Sequence, residues 1–153
     1  MPSTGPEPPP PSFNLDRFVE AQSECYPRAL EELRRGRKAS HWMWFIFPQV
    51  LGLGHSATSR HFAIRSLEEA RAFLHHPVLG PRLLECCRAL LLHTGRTAHE
   101  IMGSPDDLKL RSSMTLFSLV PESEPEFRDV LRRFFDGRMD ERTPDLLGLS
   151  MRV

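Results

Sequence analysis

Helix start and stop signals follow one another along almost the whole chain and leave little room for a sheet. Ser66-Leu67-Glu68-Glu69 and Thr97-Ala98-His99-Glu100 both have the form of a capping box. In that arrangement a hydroxyl and a carboxylate three residues on satisfy each other's backbone N–H groups at the first turn. The first opens a helix that ends at His75-His76-Pro77, where the negative end of the helix dipole favours a partly positive histidine as a cap. The second is closed by Gly103. Ser104-Pro105-Asp106-Asp107 is a third start, with a serine cap, a first-turn proline and two acids at the positive end of the helix dipole.

The same reading covers the flanks. Asn14 predicts a cap for a helix from Leu15 to about Cys25, with Leu15, Phe18 and Gln22 on one side. Pro27 predicts the first turn of a second helix, which carries Leu30 and Leu33 and stops at Gly36. A longer apolar helix is expected from Gly80 to His93, one opened by Ser123 and Pro125 and ended by Gly137, and a final turn at Thr143-Pro144-Asp145. No alternating run is bounded by hairpin turns. The expected fold class is all-α: one compact domain of about six to eight short helices.

Residues 1–12, MPSTGPEPPPPS, hold six of the 14 prolines and predict a disordered, polyproline-like arm ahead of a single helical domain at 13–150. A chain of 153 residues buries enough surface to fold without staples. Its 20 basic and 20 acidic side chains cancel, so no long-range field marks it as a dedicated nucleic-acid binder. Cys25, Cys86 and Cys87 are odd in number and show no metal-ligand spacing. They are expected to be structural thiols in a reducing, cytoplasmic setting. No metal and no cofactor is expected. Apolar runs such as Ala89-Leu90-Leu91-Leu92 are too short to span a bilayer, so no membrane partner is expected either.

One segment stands apart. Ser40-His41-Trp42-Met43-Trp44-Phe45-Ile46-Phe47-Pro48-Gln49 contains both tryptophans and two of the ten phenylalanines, and is flanked by Lys38. It is read as a short helix broken at Pro48, with a glycine loop after it. Trp42 and Phe45 are assigned to the core, and Lys38, His41, Trp44 and Gln49 to the wall of a pocket. Stacking a flat ring on tryptophan and burying the same tryptophan yield comparable energies, so energy alone does not choose. Gly52-Leu53-Gly54-His55-Ser56 then supplies open backbone and hydroxyl donors, with Gly52, Gly54 and Ser56 as binding candidates. Further on, Asp107-Leu108-Lys109-Leu110-Arg111-Ser112-Ser113-Met114-Thr115-Leu116-Phe117 places Lys109, Ser112 and Ser113 on one side of a helix for anion or ribose contact. His41 and Asp107 are the candidate acid–base residues.

Taken together, SHWMWFIFPQ, GLGHSATSRHFAI, HPVLGPRLLEC and IMGSPDDLKLRSSMTLF resemble the domain-of-unknown-function family 1810, from about Phe13 to Leu147. The resemblance implies a small, all-helical, mostly bacterial single-domain protein, and it brings no established activity. It also implies that the aromatic run, the glycine loop and the DLKLRSSMTLF helix share one surface. A further likeness, in aromatics, small size and a late helix with a lysine, is to the helical family that removes ADP-ribose from modified guanine, although that family's critical acid has no counterpart here. The functional expectation is a small-ligand-binding protein, acting as a hydrolase or glycosidase on a nucleotide-like or ADP-ribosyl-bearing substrate. The alternative is a non-catalytic sensing or interaction module.

Overall fold

The computed structural model describes residues 13–149, so the expected proline-rich arm lies outside the described residues. Among the described residues the protein is all-α, with nine helices and no strand; an isolated parallel bridge pairs Val50 with Ile64. The helices are α1 (Asp16–Arg35), α2 (Met43–Ile46), α3 (Ala57–His61), α4 (Leu67–His75), α5 (Leu79–Leu91), α6 (Ala98–Met102), α7 (Asp106–Ser118), α8 (Glu126–Phe135) and α9 (Arg142–Leu146).

Helix α1 corrects the expected break at Pro27. It runs unbroken for 20 residues because Phe18, Gln22, Ala29, Leu30 and Leu33 form one buried stripe across the proline. Pro27 itself is exposed, and packing of that stripe outweighs the lost backbone hydrogen bond. The stripe lies against α5 and α2. Gly36 then ends the helix at φ 79°, a left-handed stop suited to glycine.

Local start signals hold where a side chain can reach the first turn. Ser66 accepts from Glu69 N, and Thr97 with Glu100 forms the complete capping box. Elsewhere the sequence cues do not become caps. Asn14 takes φ 52° and Leu15 occupies the cap position of α1 without a side-chain bond. Pro105 and Pro125, not Ser104 and Ser123, sit at the cap positions of α7 and α8. His76, by contrast, is the C-cap of α4, its backbone N donating to Phe73 O, and its ring also serves the start of α5, with Nδ1 accepting from Val78 N and Leu79 N.

Helix α7 is the axis of the molecule. Leu110, Ser113, Met114, Leu116 and Phe117 are all fully buried, because α4, α6, α8 and α9 pack around it. An aromatic column crosses the core through Phe18, Phe73, Phe117 and Phe127, with successive ring centroids 5.1, 5.3 and 5.6 Å apart. The turn from α4 into α5 is very tight at Gly80, where an added Cβ would stand 2.0 Å from Leu74 O.

Candidate functional site

The two tryptophans separate in role. Trp42 is 1% exposed, and its indole Nε1 donates to Glu32 Oε1 at 2.8 Å. Trp44, two residues on, is half-buried and reaches the surface. Trp42 is the N-cap of the four-residue α2 and Trp44 lies within it: Met43 and Ile46 face the core with Trp42, and Phe47 follows them in. Phe45, assigned to the core from the sequence, is half-buried against Phe62 with centroids 5.3 Å apart.

Glu32 organises this segment, and nothing in the sequence analysis singled it out. It is a buried acid whose carboxylate accepts from Ala39 N, Ser40 N, Ser40 Oγ and Trp42 Nε1 at 2.8, 3.1, 2.6 and 2.8 Å. Burial alone would push its pKa up. The four donors outweigh that and hold it at about 2. The loop from Lys38 to Trp42 is therefore tied to the end of α1 by one charged group.

Pinning that loop places Lys38. Its backbone N donates to Ile101 O at 2.7 Å. Its Nζ, 8% exposed as a side chain, bonds Ser40 O and stands 2.8 Å from Asp106 Oδ2. The same ammonium lies 5.0 Å from the Trp42 ring centroid. Asp106 Oδ1 faces Lys109 Nζ at 3.6 Å, one turn along α7, and Lys109 in turn lies 5.4 Å from the Trp44 ring centroid. Trp42, Lys38, Asp106, Lys109 and Trp44 thus form one ladder, three charges of alternating sign with a tryptophan at each end. Each cation–aromatic contact is of a kind that contributes about 0.5–2 kcal/mol.

Beside the ladder, Trp44, Gln49, Gly52, Gly54 and Ser59 line a narrow cleft floored by Val50, Phe62 and Ala63. Its volume of about 10 Å³ matches a single water molecule. The bridge between Val50 and Ile64, with Leu51 N on Ile64 O and Ile64 N on Gln49 O, holds the loop that carries Gln49 and Gly52. Gly52 has φ 110°, and Leu146 of α9 closes on it from outside.

Of the residues chosen from sequence, Lys38, Trp44, Gln49, Gly52, Gly54 and Lys109 come together here. Ser56 stands next to them as the cap of α3, its Oγ accepting from Ser59 N. Ser112 and Ser113 are instead turned into the core: Ser112 Oγ donates back to Leu108 O at 3.2 Å, and Ser113 is wholly buried. The Ser112 bond is the back-bonding open to a serine inside a helix, whereas Ser113 Oγ has no hydrogen-bond partner among the described residues. The acid–base candidates also lie elsewhere. His41 is exposed and lines a separate hollow with Glu24, Cys25, Arg28, Ser40 and Trp42. Asp107 Oδ2 faces His99 Nδ1 at 3.5 Å. The acid in the ladder is Asp106, one residue earlier.

Burial pushes the Cys86 thiol up to about 12 and the Cys87 thiol well above its ordinary value, which disfavours the reactive thiolate at both. Among the described residues no group of three or more His, Cys, Asp or Glu side chains could hold a metal. No helix among them is long and apolar enough to cross a membrane.

No curated protein matches the chain. Among solved structures it is similar to the crystal structure of the conserved hypothetical protein Rv1873 from Mycobacterium tuberculosis. The two share 49% identity and a TM-score of 0.88, over 90% of this chain and 99% of that one. The family described as "Protein of unknown function (DUF1810)" matches residues 12–147. That span takes in the aromatic ladder, the glycine cleft and the whole of α7, and the chain belongs to the DUF1810 family.

Proposed function

We propose that the Trp44 surface binds a flat, anionic small molecule of nucleotide-like chemistry, and that the protein is a non-catalytic binding module. The observation that carries this reading is the division between the two tryptophans: Trp42 is used by the core, whereas Trp44 keeps an accessible surface between Lys109 and the glycine cleft. A planar ring stacks on that surface, and Lys109 meets its negative charge. Backbone groups at Gly52 and Gly54 and the Gln49 amide supply orientation. His41 and Asp107 stand apart from this surface, which argues for binding over turnover.

The hydrolase or glycosidase reading draws on a different acid. Asp106 sits between Lys38 and Lys109 at the centre of the ladder, one lysine away from anything stacked on Trp44. One experiment separates the readings. Tryptophan fluorescence of wild type and Trp44→Phe is titrated with AMP, NAD and ADP-ribose, and the mixtures are then analysed for released products. The binding module predicts a saturable change with wild type, its loss in Trp44→Phe, and intact ligand afterwards. Stacking at about 1–3 kcal/mol makes Trp44→Ala roughly 5- to 150-fold weaker. Product formation lost in Asp106→Asn would make the protein an enzyme. A panel with no saturable response would end both readings.

A further inference from the structure

We propose that the basin between α7 and the loop entering α9 is a binding site for the phosphate group of a small phosphorylated molecule. This proposal is independent of the Trp44 reading and uses none of its residues. Arg111 from α7, Arg138 from the loop and Arg142 from the first turn of α9 line a cavity of about 600 Å³, together with Met139, Asp140 and Glu141.

The state of the arginines points to a ligand. None of the three has an ion-pair partner among the described residues. Arg142 makes one long bond, Nη2 to Gly52 O at 3.4 Å. Arg111 Nε is buried with no acceptor among the described residues, a condition native proteins rarely leave unexplained. Arg17 shows how the same fold treats an arginine that serves structure. It donates to the carbonyls of Phe13, Asn14, His61 and Ala63 and to Glu69 Oε2, all within 2.9 Å.

Two carboxylates share the basin. Asp140 is engaged, with Oδ2 accepting from Thr143 N at 2.9 Å and from Thr143 Oγ1 at 2.5 Å. Glu141 is exposed at the rim and opposes an anion. Three guanidinium forks still outnumber them, and their planar donor pairs match the oxygens of a tetrahedral phosphate. A neutral chain offers no long-range field to gather a nucleic-acid backbone. The cavity is instead of the size that takes a small ligand.

The test is thermal melting of the full chain in inorganic phosphate, pyrophosphate and glycerol phosphate, with ionic strength matched by sodium chloride. Wild type should show a saturable rise in melting temperature that chloride alone does not produce. Glycerol phosphate acting at lower concentration than inorganic phosphate would identify an ester as the preferred source. In Arg138→Gln/Arg142→Gln, both exposed positions, the phosphate response should require at least about tenfold more ligand. Glu141→Gln should require severalfold less, and Trp44→Phe should respond like wild type. A wild-type response that is absent or does not saturate, or one unchanged in the double variant, overturns the proposal. If the double variant fails to fold in chloride, Glu141→Gln decides: a stronger response supports the site and an unchanged one overturns it.

Discussion

Replacing Glu32 by glutamine tests the account of how the Lys38–Trp42 loop is held. The carboxylate accepts four hydrogen bonds from that loop, and its pKa falls from the usual 4.5 to about 2. At about 1.36 kcal/mol for each tenfold change in proton affinity, the fold gains about 3 kcal/mol from the ionised form. Glutamine keeps the shape and one acceptor oxygen but loses the charge, so Glu32→Gln should cost about 3 kcal/mol at pH 7. For a domain of this size that is roughly 6–12 °C in melting temperature. The direction with pH follows from the lowered value. Stability from Glu32 is complete above about pH 5 and is lost as the pH falls through 4.5 towards 2, where the native carboxylate is protonated. Urea unfolding of wild type and variant at pH 7 and pH 3, followed by circular dichroism, reads the difference directly. Other acids titrate in both proteins and cancel. The gap should shrink to less than half at pH 3. A gap below about 1 kcal/mol at pH 7, or one of equal size at both pH values, would refute the reasoning.

Gly80→Ala should destabilise by about 3 kcal/mol or more, at the severe end of overpacking. The added Cβ meets backbone, Leu74 O at 2.0 Å, which cannot swing aside; a melting temperature within a degree of wild type would show that the α4–α5 turn opens freely. The thiols should divide one against two under a disulfide reagent at neutral pH. Half-buried Cys25 reacts in the native protein, while Cys86 and Cys87, with thiol pKa values raised by burial, react only on unfolding. A second fast thiol would contradict that burial.

The elements legible in the sequence are those whose signals are local. The caps at Ser66 and Thr97 and the left-handed stop at Gly36 involve groups within one turn of each other. The aromatic run was also readable in outline, since so much apolar surface in one short stretch must be enclosed or put to use. Pro27 was misleading because local cost competes with a long-range gain: the stripe from Phe18 to Leu33 needs α5 opposite it, and α5 lies far along the chain. Glu32 was invisible for the same reason. Within Glu31-Glu32-Leu33-Arg34-Arg35 it looks like one more solvated charge at a helix end. Only the return of residues 39–42 across α1 brings four donors to it.

The choice between Asp106 and Asp107 shows where local reasoning had more to offer. Asp106 precedes Lys109 by three residues, a spacing that makes them neighbours on a helix, whereas Asp107 is turned about 100° further round and meets His99. The pairing with Lys109 was therefore readable, while the partnership with Lys38 was not. The arginines carry the point further. Equal totals of 20 acidic and 20 basic side chains describe a neutral chain, and neutrality at that level conceals how the charges are used. Arg17 has its donors taken up by four carbonyls and a carboxylate, so its charge is structural. Arg111 from α7 and Arg138 and Arg142 from one short stretch of chain line one cavity, and Arg111 Nε is buried there with no acceptor among the described residues. Unused donors in a concave site, rather than charge as such, single out a basic residue as a candidate to test for a ligand, and they exist only once the fold has decided which carbonyls each guanidinium can reach.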